Sequence, residues 1–255
     1  MPRRSRRFYV EKAFPAEGGL LLLPPRETFH LYKVLRLQKG DSCQLFNRDG
    51  WSAEAVIETV SELEGAKLRL KKVFPMKQKS LFLKVAQALP QKRKMDDLVE
   101  KAEELSVQEL WVLETKRNVV KMNTEGRARA KARWERIVVE AAKQSGSSVL
   151  TRVEGPVAFE KVVKEKLEAS DRPFLFHPDP EGLPFTEFVE MLKSPKTQTT
   201  GAPVFLFFGP EGGFTEEEVR LAESRGAKKV FLGDSVLRLE TAFLGVLSAL
   251  RLLVF

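Results

Sequence analysis

Two blocks near the C-terminus restrict what this chain can fold into more than any other feature. They are Phe207-Phe208-Gly209-Pro210-Glu211-Gly212-Gly213-Phe214 and Leu232-Gly233-Asp234-Ser235-Val236-Leu237-Arg238-Leu239-Glu240-Thr241-Ala242. Each is a glycine-bearing loop fed by an apolar strand, Val204–Phe208 or Lys229–Leu232, and followed by a helix. An α/β protein builds its small-molecule site in this way, at the carboxyl ends of its strands. Two such loops in one chain point to one shared pocket.

The upstream texture agrees. From Leu81 the pattern alternates: an apolar strand Leu81–Leu89, a helix over Met95–Leu105 with Leu98, Ala102 and Leu105 at helical spacing, and a strand Glu109–Leu113. A basic amphipathic helix over Glu125–Ser145 and a strand Pro173–His177 follow, and the apolar run Ala242–Val254 reads as a terminal helix. This alternation predicts an α/β domain with a mostly parallel sheet and helices on both faces. Residues 8 to about 72 read differently, as short strands Phe8–Val10, Leu20–Leu23, Ser42–Phe46, Ser52–Val60 and Lys67–Val73. Gly18-Gly19, Gly40-Asp41, Asp49-Gly50 and Glu64-Gly65 punctuate them, and Asn47-Arg48-Asp49-Gly50-Trp51 is a hairpin signal. We expect a small N-terminal β-barrel over 1–73, a linker over Val73–Lys79 and an α/β domain over 79–255. A helix over Thr28–Arg36 places Lys33 and Arg36 beside its apolar stripe, and 194–202 reads as a mobile surface loop.

Charge suggests where a partner docks. The net charge is +8, of which residues up to Met76 carry +5. Such a balance favours polyanions, nucleic acid foremost, with the N-terminal third as the docking surface; plain solubilising charge is the alternative. One cysteine, Cys43, excludes an intrachain disulfide framework and a multi-cysteine zinc site, and fits a reducing cytoplasm. It reads as a buried apolar residue rather than a nucleophile. No run approaches the ~20 apolar residues of a membrane span, and no secretory leader follows the basic N-terminus, so no membrane partner is expected; with two histidines and one cysteine, no metal is expected either.

The glycines of 209–213 let backbone groups face a ligand. Thr215 with Glu218 makes a capping-box pattern, and Gly226 is placed to end that helix. The Lys-Ser/Thr of a phosphate loop and the Gly-x-Gly-x-x-Gly of a dinucleotide fold are both missing, so the block fits a neutral cradle for an adenosine and an amino-acid moiety. A turn that uses glycine for geometry alone is the competing reading. Arg238, Glu240 and Thr241 crowd polar groups into the start of an apolar helix, where a charge needs a partner or a purpose; a structural salt bridge is the alternative.

These blocks, together with Arg-Arg-Phe-Tyr-Val at the N-terminus, His30–Leu37 with Lys39-Gly40-Asp41, Lys94 with Lys101-Ala102-x-Glu104-Leu105, and Glu140-Ala141-Ala142-x-Gln144-Ser145, resemble the ribosomal RNA small subunit methyltransferase E family. The resemblance implies methylation of N3 of a uridine in 16S rRNA of the 30S subunit, with S-adenosyl-L-methionine as cofactor. It also implies a PUA-like barrel, a trefoil-knotted SPOUT domain and a homodimer. The cofactor is then held by Phe176 and His177, by Gly209, Pro210, Glu211, Gly212 and Gly213, and by Leu232, Gly233, Val236 and Leu237, with Leu239, Thr241 and Ala242 beyond. Departures from the family pattern are Ser106 in place of Gly, Ser147 in place of Arg, Ser235 where Arg is common and Leu239 where Thr is usual.

For such a reaction Arg238 is the candidate to stabilise an imide anion of uracil, and Glu240 to orient Arg238 or to take the proton through water. Arg3, Arg4, Arg6, Arg7, Lys33 and Arg36 are candidates for phosphate and 2′-hydroxyl contacts, with Lys92, Arg93 and Lys94 widening the track. Glu211 is expected to meet the cofactor amine or to cap its loop. Two other readings stand beside this one: a non-catalytic RNA-binding assembly factor, and a methyltransferase of another RNA position such as a ribose 2′-hydroxyl or guanine N1.

Overall fold

A computed structural model describes residues 6–61, 64–76, 81–91, 94–118, 122–147, 150–194 and 201–254. Arg3, Arg4, Lys92, Arg93 and most of the 194–202 stretch lie outside these. Contacts divide the chain into two units, Met1–Gln78 with Ala142–Leu150, and Lys79–Ala141 with Thr151–Phe255.

The first unit is a five-stranded sheet in the order β1-β3-β4-β5-β2, built from β1 (Arg7–Tyr9), β2 (Leu20–Leu22), β3 (Ser42–Phe46), β4 (Trp51–Ser61) and β5 (Gly65–Pro75). All pairings are antiparallel except β1 with β3. Alternate residues of the strands, among them Phe8, Leu21, Leu45, Ile57, Leu68 and Leu70, close one apolar cluster with Leu31 and Leu37. The expected hairpin is present: Asn47 Oδ1 accepts from the N–H groups of Asp49 (3.1 Å) and Trp51 (3.0 Å), and Gly50 supplies a φ of 78°. Strand β5 runs past the start of the expected linker, because Pro75 still pairs with Trp51 and Met76 N–H bonds to Gly50 O at 2.7 Å. The helix expected over Thr28–Arg36 begins earlier, ends earlier and changes pitch: α1 (Pro25–Phe29) passes into a π-type turn over His30–Val34.

Residues 142–150, which fall within the span expected for the second domain, group with this sheet for a visible reason. Arg7 donates to Ala142 O and Ser147 O, each at 2.9 Å, and Lys143 pairs with the buried Glu27. Cys43 is buried, which pushes its thiol pKa up to about 12 and removes it from thiolate chemistry.

The second unit is a seven-stranded, wholly parallel sheet, ordered β10-β12-β9-β11-β6-β7-β8. Its strands are β6 (Leu83–Ala88), β7 (Glu109–Glu114), β8 (Arg152–Ala158), β9 (Arg172–Phe176), β10 (Leu183–Pro184), β11 (Val204–Phe208) and β12 (Lys228–Phe231). Its helices are α2 (Lys94–Glu104), α3 (Thr124–Ser145, whose residues from Ala142 on group with the first unit), α4 (Phe159–Lys161, extended by a π-type turn over Val162–Lys166), α5 (Phe185–Lys193), α6 (Glu216–Glu223) and α7 (Leu239–Leu253). The two-residue period of a strand puts Phe205 and Phe207 on one face, with Phe159 of α4 and Val219 of α6, while Phe208 turns to Phe243 of α7 on the other. Strands buried on both faces read as continuous apolar runs, and Val204–Phe208 is one. β8, α4, β10 and α5 are additions to the expected element list.

At the end of α2, Ser106 adopts a φ of 66°. Its N–H bonds to Glu103 O (3.0 Å) and that of Val107 to Ala102 O (2.9 Å), the pairing of a Schellman cap, a position that favours glycine. Among the described residues no helix is long and apolar enough to cross a membrane.

Candidate active site

Because every strand of the large sheet is parallel, β6, β9, β11 and β12 all end on one edge. The loops there enclose a cavity of about 550 Å³. Phe176 and Phe208, the last residues of β9 and β11, stack with ring centroids 4.6 Å apart and form an apolar wall. Around them the cavity gathers His177, Gly209, Pro210, Glu211, Gly212, Gly213, Leu232, Gly233, Val236, Leu237, Arg238, Leu239, Glu240 and Ala242, all expected from the sequence. Of the expected cofactor residues only Thr241 stands apart; it is exposed on α7 and does not line the cavity.

The loop after β11 owes its shape to glycine. A Cβ on Gly209 would come within 3.2 Å of the Phe214 ring, and Gly213 has a φ of 70°. Thr215 and Glu218 form the expected capping box at the start of α6. Glu218, 2% exposed, does more than cap. Its carboxylate accepts from Thr215 N–H and, on the loop after β7, from Lys116 N–H, both at 2.8 Å. Arg117 on that same loop donates to Gly212 O at 2.9 Å, and Asn118 to Leu89 O at the end of β6, also at 2.9 Å. Three strand-end loops are thereby tied together by side chains whose pairing sequence spacing does not reveal.

Lys94 is the main revision. Expected on an RNA track, it lines the cavity from the start of α2, where its ammonium pairs with Glu240 and lies 3.7 Å from Glu211. That bond raises the Lys94 pKa, and the same bond is the largest cause holding Glu240 below its ordinary value of 4.5. Glu240 was expected to orient Arg238; its hydrogen bond goes to Lys94 because α2 brings that ammonium to the entrance of α7. Arg238 itself is exposed on the cavity rim. Glu211 caps its surroundings in part, accepting from Gln91 N–H at 3.1 Å. Pro178, Phe214 and Ser235 complete the lining.

His177 is tuned by burial, which lowers its pKa, so its ring is neutral near pH 7. Its Nδ1 is buried without a hydrogen-bond partner. The arrangement is mostly apolar with few polar groups: two carboxylates, two cations and a neutral imidazole, around glycine backbone. It suits a flat apolar ring carrying a polar tail. Among the described residues no cluster of three or more His, Cys, Asp or Glu side chains is set to hold a metal ion.

The expected RNA contacts divide. Arg6 is exposed and 3.4 Å from Asp41. Arg7 is spent inside the N-terminal unit, on two carbonyls and on the Phe46 ring 4.5 Å away. Lys33 and Arg36 are exposed, and His30 packs edge-on against Phe8.

Comparison with known proteins accords with this geometry. The sequence profile of an RNA methyltransferase domain matches residues 77–251, and that of an RNA methyltransferase PUA domain matches 23–67. Ribosomal RNA small subunit methyltransferase E of Bacillus subtilis (strain 168) is 27% identical over 96% of this chain and 95% of its own. The protein of that name from Synechocystis sp. is 31% identical over 86% of this chain and 69% of its own. A Legionella pneumophila structure, described as a methyltransferase in complex with the bound cofactor SAM, superposes with a TM-score of 0.83 at 30% identity, covering 98% of both chains.

Proposed function

The chain belongs to the ribosomal RNA small subunit methyltransferase E family, and from that premise we propose that it uses S-adenosylmethionine to methylate N3 of one uridine in 16S rRNA of the small ribosomal subunit. The observation that carries this reading is the cavity: a glycine cradle, an aromatic wall and an exposed Arg238 meet at one edge of a parallel sheet. These features fit the cofactor. Phe176, Phe208 and Leu239 suit an adenine ring, and the 209–213 backbone suits the ribose and amino-acid parts.

The cofactor supplies an activated methyl group on a sulfonium, so the protein's task is positioning and a competent nucleophile. Uracil N3 becomes nucleophilic only as its proton leaves. Arg238 is the group to stabilise the charge that develops on the uracil oxygens, since a guanidinium at a half-enclosed rim donates in a fixed plane. Glu240 is a poor proton acceptor here, because Lys94 holds it ionised and engaged. Water takes the proton in this reading, and Lys94 and Glu240 together position the entrance of α7 that carries Arg238.

The same reading includes a cytoplasmic enzyme acting on the 30S subunit, a chain threaded as a trefoil knot, and a homodimer. Leu252 and Leu253, 80% and 53% exposed at the end of α7, are the kind of apolar surface that a second protomer covers.

The test is mass-mapped methylation of 30S subunits lacking the mark. The wild type is expected to yield N3-methyluridine at one site. Arg238→Ala is expected to be slower by roughly 100- to 1000-fold with cofactor binding little changed. Methyl transfer to a ribose or to guanine would overturn the assigned position, and calorimetry showing no S-adenosylmethionine binding by folded protein would favour an assembly factor without catalysis.

A further inference from the structure

A second cavity, also of about 550 Å³, lies wholly in the N-terminal unit. Leu22 of β2 and Phe29, Tyr32 and Lys33 of the α1 segment line it, with Glu64 on the far wall. The exposure there is unusual for apolar groups: Phe29 is 62% and Leu22 58% exposed, and Leu20 and Val34 stand open on the same two elements. The backbone is unusual too. Over His30–Val34 the helix gives up its ordinary ladder for the π form, with Leu35 N–H bonded to His30 O at 3.0 Å, a device that recurs at functional sites.

Charge identifies the occupant. Within the cavity Lys33 faces one exposed acid, Glu64. Arg26, Arg36 and Lys39 are exposed on the segment that flanks it, whose own acid, Glu27, is buried and paired with Lys143, so the flanking surface is net cationic. The surface therefore presents cations interleaved with open aromatic rings. Lys33 Nζ lies over the Tyr32 ring, 5.0 Å from its centroid, so a base would stack on the opposite face. The core of a protein–protein interface is depleted in lysine; single-stranded nucleic acid is the ligand that uses both features at once.

We propose that this groove is a base-stacking site, in which Phe29 and Tyr32 hold an unpaired nucleobase of the RNA while Lys33 and Arg36 meet the flanking phosphates. The inference rests on RNA being the substrate class, and it adds a second point of base recognition remote in sequence from the cavity that reads the target.

Binding, not methyl transfer, tests it, so that its failure is separable from failure of the proposed activity. The full chain is titrated against a labelled unstructured oligouridylate and against an RNA duplex of equal length, over a salt series. Phe29→Ala combined with Tyr32→Ala is expected to weaken the single strand roughly tenfold or more for each stack lost, leaving the duplex and the salt slope unchanged. Lys33→Met is expected instead to flatten the salt slope by about 0.7. Phe29→Trp keeps a stacking face and is expected to bind as wild type, which separates stacking from folding. Unchanged single-strand affinity in the double alanine variant overturns the proposal. So does an equal loss on the duplex, or a change in sedimentation with RNA affinity intact, which would assign the face to a protein partner.

Discussion

Lys143 meets Glu27 in the N-terminal unit with side chains 9% and 7% exposed, whereas Lys94 meets Glu240 at the cavity with side chains 36% and 30% exposed. The chemistry of the two pairs is the same and their physical situation is not. The first lies out of water, so removing Lys143 leaves the Glu27 carboxylate charged in the interior. The second is half in solvent, where an ion pair contributes little to stability. What it does contribute is a fixed protonation state and a fixed spacing between the Glu211 loop and the start of α7. A buried pair holds a scaffold together; a half-exposed one presets a site and remains within reach of a ligand.

The strongest way to break this contrast is Lys143→Met, which is expected to cost about 3–5 kcal/mol, read from the urea midpoint. A cost below about 1 kcal/mol would put the pair with ordinary surface pairs. Adding Glu27→Leu to Lys143→Met is expected to recover most of the loss, since no lone charge then remains buried.

Lys94→Met is expected to leave the urea midpoint nearly unmoved and to change a pH profile instead. The carboxyl of Glu240 is held below 4.5 and the ammonium of Lys94 above 10.5. The pair is therefore intact between those values. Its contribution fades as pH falls through the depressed carboxyl value, or rises through the raised ammonium value. Without Lys94, Glu240 returns toward 4.5, so the acid limb of S-adenosylmethionine affinity moves to higher pH. A limb that stays in place would mean that Lys94 does not hold Glu240.

The smallest effect sharpens the comparison by isolating stability. Ser106→Gly relieves a left-handed φ at the far end of α2, the helix whose first residue is Lys94. It is expected to stabilise by about 1 kcal/mol, while the acid limb stays where the wild type has it.

Much of the fold was legible because periodicity was clean. Ser42–Phe46 and Val204–Phe208 are strands to the residue, and the Thr215–Glu218 cap formed as its spacing required. β8 was not legible: Gly155-Pro156 interrupts it and Arg152 and Glu154 break its apolar pattern, features tolerated because it pairs only with β7 at the edge of the sheet. α5 begins at Phe185, directly after Pro178, Pro180, Gly182 and Pro184, which read as loop. In the site, backbone-shaping residues were legible and side-chain partners were not. Arg7 reads as a phosphate ligand until Ala142 and Ser147 come to it, and Lys94 reads as surface charge until the fold delivers Glu240. Those partners are set by topology, which local spacing does not encode.

The bonds to Glu218 have a mechanical meaning. One buried carboxylate fastens the β11 loop at Thr215 and the β7 loop at Lys116, and Arg117 adds a rivet at Gly212. These bonds brace the two loops into one jaw of the cavity. Among the described residues no hydrogen bond fastens 233–237 to that jaw, and Ser235, Val236 and Leu237 are exposed. Side-chain bracing is therefore concentrated on the β7 and β11 side of the cavity, and the β12 side is joined to it where Lys94 pairs with Glu240 and lies 3.7 Å from Glu211.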